Sequence, residues 1–252
     1  MAKFSTGKFN FAKQTKIPLL GKIGIIGGGS LVNLTILKNA KLKNTPTPYG
    51  KSFYYFIKNC PIILRHGPKK NIPPHKINYK ANISALKKLG VKSIFSFNSV
   101  GSLKKRLKPG TFFIPSDYIN FSDPVTFYDK KCCFITPEIS KRLIKILGKI
   151  LKKLKFKFRI GGVYFNTTGP RLETKAEIRM IKRFADVVGM TMTKEATLAN
   201  ELGLEYASLC AIDNFANGLV KKPLIQKEIE KNRRKTDNII GEIVNEILSL
   251  KV

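Results

Sequence analysis

The sequence predicts an α/β domain: one central, mixed and largely parallel β-sheet flanked by helices. Three observations lead there. Apolar or β-branched runs take turns with segments of helical period, the order expected when helices carry the chain back between parallel strands. The 252 residues are 43% hydrophobic, which suits one substantial core and excludes a disordered chain. The residues just beyond the strand-like runs are glycine, hydroxyl, amide or charged, and in such folds ligands sit beyond the carboxyl ends of strands.

Residues 1–20 read as a basic extension and residues 21–252 as the domain itself. The opening MAKFSTGKFNFAKQTK lacks the apolar centre of a signal peptide, so a cytoplasmic protein is expected. The first strand is Lys22–Ile26, which runs into Gly27, Gly28, Gly29 and Ser30. Ser52–Ile57 and Pro61–Leu64 follow, the latter ending on Arg65-His66-Gly67. Over Lys76–Leu89, Ile77, Ala81, Ala85, Leu86 and Leu89 recur at helical spacing and face a sheet. Lys92–Phe97 is a strand that opens onto Asn98-Ser99-Val100-Gly101-Ser102, and Thr111–Ile114 is another. Glu138–Leu154 is a helix with lysines on its polar side. Ile160–Phe165 is a strand ending on NTTGPRLE, then Lys175–Phe184 a helix. Asp186–Gly189 is a strand followed by the helix Lys194–Leu202. Glu205–Ile212 is the last strand, with DNFANG at its end, and Leu224–Leu248 the last helix.

The formal charge of +31 raises a nucleic-acid role, but the lysines are scattered through almost every segment and no base-reading motif accompanies them. No specific nucleic-acid or membrane partner is expected, and no apolar run approaches the roughly 20 residues of a transmembrane helix. The four cysteines form no C-x-x-C pair and there are two histidines, so no metal site is expected. The glycine loop fits neither familiar nucleotide motif. Counting from Gly27, a G-x-G-x-x-G pattern would need glycine where Val32 stands, and a P-loop would need lysine where Ser30 follows Gly29. Alone, it reads equally as a tight turn or as a loop for some other anion.

Several segments in order then carry a resemblance: IGIIGGGSL, LRHG, NIPPHKINYKANISALKKLGV, NSVGSLKKRLKPGTFFIP, TTGPRLETKAEIRMI, DVVGMT and DNFANG. From about Ile23 to Gly218 the chain resembles the purine nucleoside phosphorylase and methylthioadenosine phosphorylase family, closest to its archaeal and bacterial 6-oxopurine branch. The resemblance implies phosphorolysis, in which inorganic phosphate attacks C1′ of a nucleoside and releases base and ribose 1-phosphate. It implies no cofactor beyond that co-substrate, and a homotrimer or homohexamer.

Carried over residue by residue, the phosphate contacts are Gly29, Ser30, the Arg65 fork, a donor from His66, Asn98, Ser99 and the Thr191 hydroxyl. The base would meet Asn214, whose carboxamide can serve N7 and O6 together, and Glu173, which accepts from a protonated N1. Adenine has no proton there. Relatives that handle adenine carry aspartates where this chain has Asn214 and Ala216. Asp213, where relatives often have Thr, either assists proton transfer or caps a turn. Leu172 stands where an aromatic residue usually stacks on the base, and Met190, with Val188 and Gly189, would lie against the ribose. Gly29 and Ser30 exchange the usual order of hydroxyl and glycine. Lys70 replaces a frequent histidine, and Gln226 falls in the region that often faces the 5′ group. Taken singly, Glu173 reads as a helix N-terminal charge, Asn214 as a turn residue and Met190 as core. A methylthionucleoside phosphorylase and a catalytically weakened basic homologue remain the alternatives.

Overall fold

A computed structural model describes residues 21–250; the basic extension 1–20 lies outside the described residues. The described residues form a single sheet of eleven strands with six α-helices. Buried, β-branched Ile23–Gly27 (β1) lies between Cys60–Leu64 (β4) and Ser93–Ser102 (β5), parallel to both. β5 is the hinge of the architecture. It also pairs in parallel with Glu205–Phe215 (β11) and antiparallel with Val187–Gly189 (β10). Val163–Asn166 (β9) and Asp117–Asn120 (β7) extend the sheet beyond β10, while Phe112–Ile114 (β6) and Phe158–Ile160 (β8) extend it from β11.

At the other edge Leu42–Thr47 (β2) and Gly50–Ile57 (β3) form a hairpin, joined to β4 through Lys58-Asn59. Both turn residues have positive φ (44° and 62°), the conformation that a two-residue hairpin turn demands. β2 has no counterpart in the sequence reading. Its LKNTPT is polar and carries Pro46, tolerable only because the strand is an edge. The expected strand Ile160–Phe165 is two strands, split where Gly161 and Gly162 adopt positive φ. β5 and β11 run further than expected, so NSVGS and the start of DNFANG lie within strands rather than after them.

The helices are Thr35–Lys38 (α1), Tyr79–Lys88 (α2), Lys141–Lys153 (α3), Lys175–Ile181 (α4), Met192–Glu201 (α5) and Gln226–Leu248 (α6). In α3, Leu143, Ile144, Leu147, Ile150 and Leu151 are buried, leaving the lysines in solvent. That placement accounts for part of the positive charge as a solvated face. The C-terminal half of α6 docks through Ile240, Ile243, Val244 and Ile247, and its N-terminal half is left to reach the strand ends. No helix among the described residues is long and apolar enough to cross a membrane.

Candidate active site

The register brings the expected segments together. Gly27 of β1 is level with Leu64 of β4 and Phe97 of β5, so Gly28, Arg65 and Asn98 leave the sheet side by side. Further along, Gly101 of β5 is level with Val188 of β10 and Asn214 of β11. Beyond these ends lies a cavity of about 350 Å³.

One wall is built for an anion. Leu31 is fully buried and folds back over Gly27, where any Cβ would collide with it. The turn that results, closed by Leu31 N–H donating to Gly28 O (3.2 Å), leaves the N–H groups of Gly29 and Ser30 without a backbone acceptor among the described residues. Ser30 lines the cavity despite the exchanged order of the loop. His66 Nδ1 lies 2.8 Å from Ile72 O, which fixes the proton on Nδ1 and leaves Nε2 facing the glycine loop. Burial and then the Arg65 charge hold His66 below its ordinary pKa. With the proton on Nδ1, the neutral ring offers Nε2 as an acceptor, where the sequence reading has His66 as a donor. Ser99 and Thr191 complete this wall.

Two expectations need correction here. Arg65 reaches the cavity, but it is not a free fork. It is 2% exposed and its Nε donates to Glu195 Oε1 (2.6 Å), Nη2 to Glu195 Oε2 (3.2 Å) and Ser96 Oγ (2.7 Å), and Nη1 to Phe97 O (2.8 Å). Burial alone would lower its pKa, but the charge and hydrogen bonds of Glu195 more than compensate, and Arg65 stays ionised. One Nη1 proton is left for the cavity. Asn98 does not line the cavity. It is buried, donating from Nδ2 to Thr191 Oγ1 (2.8 Å) and accepting from Ser208 Oγ (2.7 Å), so it orients Thr191 from behind.

The opposite wall carries the base-reading candidates. Glu173 is 7% exposed; Thr167 Oγ1 donates to its Oε1 (2.7 Å) and its other oxygen is left for the cavity. It is not needed at the start of α4. That end is closed by Thr174 and Glu177 in a reciprocal capping box, with Arg171 on Glu177. Asn214 spends one Nδ2 proton on Phe215 O (2.9 Å) and keeps Oδ1 and its second N–H. Leu172, Val188, Gly189 and Met190 line the same space. Gly169, at φ +64°, is the residue Met190 packs on, since a Cβ there would sit 2.5 Å from its Sδ.

Asp213 and Ala216 do not line it. Ala216 belongs to a small apolar cluster with Leu103, Phe165 and Ile178 under α4. Asp213 falls at a bulge in β11 and is fully buried behind Ser99, which donates to its Oδ2; Oδ1 has no partner among the described residues. Burial pushes Asp213 up to about 7, against the opposing Ser99 bond.

The structure adds residues that sequence reasoning did not place. Glu195 in α5 carries no sequence signal that separates it from a surface helix charge, and only three-dimensional burial reveals it. Ile229 and Arg233 of α6 line the cavity, whereas Gln226, expected near the 5′ group, is exposed and bonded to Glu230. A period of about 3.6 from Gln226 would have flagged Ile229 and Arg233 as one face.

Comparison with known proteins agrees with this arrangement. The model of the phosphorylase superfamily matches residues 22–249. A protein of Archaeoglobus fulgidus named "Probable 6-oxopurine nucleoside phosphorylase" is 41% identical over 239 residues, covering 91% of this chain and 98% of that one. One of Methanocaldococcus jannaschii named "Probable S-methyl-5'-thioinosine phosphorylase" is 46% identical over 234 residues, covering 90% and 92%. Among solved structures, methylthioadenosine phosphorylase from Schistosoma mansoni in complex with adenine superposes with a TM-score of 0.80 at 26% identity, covering 90% of this chain and 91% of that one. The ordered strand ends, the cavity they enclose and these matches together place the chain in the phosphorylase superfamily.

Proposed function

We propose that this chain catalyses phosphorolysis of 6-oxopurine nucleosides. The observation that carries the reading is that Glu173 and Asn214 share one cavity with the glycine loop, Ser99 and Thr191. Inorganic phosphate lies against the Gly29 and Ser30 N–H groups, the Ser30 and Thr191 hydroxyls and the remaining Arg65 proton. His66 Nε2 accepts the P–O–H proton of monohydrogen phosphate, which orients a bare oxygen towards C1′. As the C1′–N9 bond breaks, the electron pair moves onto the purine. The second N–H of Asn214 donates to O6, and its Oδ1 accepts from N7–H as the base takes a proton. Glu173 accepts from N1–H. Asp213 accepts from the Ser99 hydroxyl and acts as a positioning residue for that side chain at the cavity wall.

Both names carried by the two relatives cited share the 6-oxopurine base and differ at the 5′ position. The trimeric or hexameric assembly belongs to the same proposal; Phe121 and Phe134, at 83% and 94% exposure, are suited to burial against another copy. The test is turnover of inosine, guanosine and adenosine with and without phosphate. The expected result is ribose 1-phosphate from the 6-oxopurines only when phosphate is present. Equal release of free ribose without phosphate, or a preference for adenosine, would refute the reading.

A further inference from the structure

A nucleoside in phosphorolysis has three ends to be met: the base, the C1′ face that phosphate attacks, and the 5′ position. Glu173 and Asn214 take the first, and the glycine loop with His66 and Thr191 the second. The rest of the cavity wall comes from other segments, where Lys70 and Arg233 stand with the apolar Pro74 and Ile229. Lys70 and Arg233 converge there: a Cβ at Gly29 would lie 3.2 Å from Lys70 Nζ and 3.5 Å from Arg233 Nη1. Arg65 Nη1 and His66, by contrast, approach Gly28. Lys70 and Arg233 are therefore addressed to a position beside the one that Arg65 and His66 face.

Neither Lys70 nor Arg233 makes a side-chain hydrogen bond or an ion pair with any described residue. Asp237 acts on both cations, Glu230 on Lys70 and Asp213 on Arg233, all at longer range. Two cations held close repel each other, and burial, then the Arg233 charge, hold Lys70 below its ordinary pKa. Lys70 is also held at φ 55°, a left-handed conformation that a lysine adopts at a cost and that glycine or asparagine adopts readily. Strain and charge repulsion at the same point in a cavity are the signature of a site waiting for an anion. A methylthio group would use Pro74 and Ile229 but gain nothing from the two cations.

Resting on the phosphorolysis reading, we infer that the 5′ end of this cavity takes a phosphate: the substrate class is the purine nucleoside 5′-monophosphate, held by Lys70 and Arg233. Inorganic phosphate forms the bond to C1′ and the C1′–N9 bond breaks. The base leaves with the electron pair and takes a proton, and the 5′ ester is untouched. The products are the free 6-oxopurine and ribose 1,5-bisphosphate.

The experiment compares inosine, S-methyl-5′-thioinosine and inosine 5′-monophosphate on the full chain with inorganic phosphate, in wild type, Lys70→Met and Arg233→Met. In wild type, kcat/KM for the monophosphate is expected to equal or exceed that for inosine. In each variant the ratio of monophosphate to inosine kcat/KM is expected to fall tenfold or more, with inosine turnover reporting that the variant is folded. A monophosphate poorer than inosine in wild type overturns the inference and leaves the phosphorolysis reading standing. So does a variant that raises KM for inorganic phosphate while the substrate ratio is unchanged, because the cations would then belong to the co-substrate. Failure of all three substrates with phosphate would overturn the phosphorolysis reading itself.

Discussion

Replacing Glu195 by alanine should unfold the protein's anion site from behind. Glu195 is 2% exposed and accepts from Arg65 Nε, Arg65 Nη2, Ser96 Oγ (2.8 Å) and Tyr206 OH (2.9 Å). The variant leaves a buried guanidinium uncompensated, and breaking a buried pair by removing one partner costs about 3–5 kcal/mol. For a chain of this size each kcal/mol lowers Tm by roughly 2–4 °C, so a fall of about 6–20 °C is expected. The network continues from Ser96 to Asn98 and on to Thr191, so the loss also loosens a hydroxyl that faces the cavity. KM for phosphate should therefore rise more than KM for the nucleoside. Urea denaturation and steady-state kinetics read the two effects separately. The double variant Arg65→Met with Glu195→Leu should recover stability, since an apolar pair of similar volume replaces a buried ion pair at little cost, but not phosphate affinity. A loss below about 1 kcal/mol in Glu195→Ala would mean the pair behaves as an exposed one, and the assignment of Arg65 as largely committed to Glu195 would be refuted.

Glu173→Gln should narrow the preference for inosine over adenosine, because a carboxamide can donate to adenine N1. The wild-type gap is expected to be tenfold or more, about 1.4 kcal/mol in the transition state, and kcat/KM for the two nucleosides in both proteins checks it. Asp213→Asn tests the buried carboxyl behind Ser99. With its folded pKa raised to about 7, Asp213 binds a proton in the native state that the unfolded chain has released, so its contribution to stability is intact at pH 4 and is lost as pH rises to 7. The amide mimics the neutral acid, so the variant's Tm advantage over wild type should be larger at pH 8 than at pH 5; a difference independent of pH would contradict it.

The strands that build the site were legible because parallel strands covered on both faces are continuous apolar runs, as IGII and CPIIL are. The elements missed are those where local composition gives no such signal: polar, proline-bearing β2, and the four- and three-residue stretches that tertiary pairing alone makes into β7 and β8. Most of the residues the sequence reading grouped line one cavity, but their facing was not legible. Sequence reading placed Asn98 with Ser99, and Asp213 with Asn214, all in one site.

Neighbouring residues on a strand point to opposite faces, so at most one of each pair could do so. Ser99 and Asn214 took the cavity; Asn98 and Asp213 were turned into the protein, where each supports the cavity group beside it. Alternation was thus available in the sequence once β5 and β11 were known to extend past Phe97 and Ile212. What hid it was strand length, for residues 98–102 and 213–215 mix amides, hydroxyls and glycine that no propensity assigns to a strand. They are held extended by the neighbours on which they pair, Gly101 opposite Val188 and Asn214. Function and fold compete for the same residues there. The polar groups that catalysis requires are the ones that erase the strand signal, and the paired backbone of β5 and β11 is what keeps them aimed.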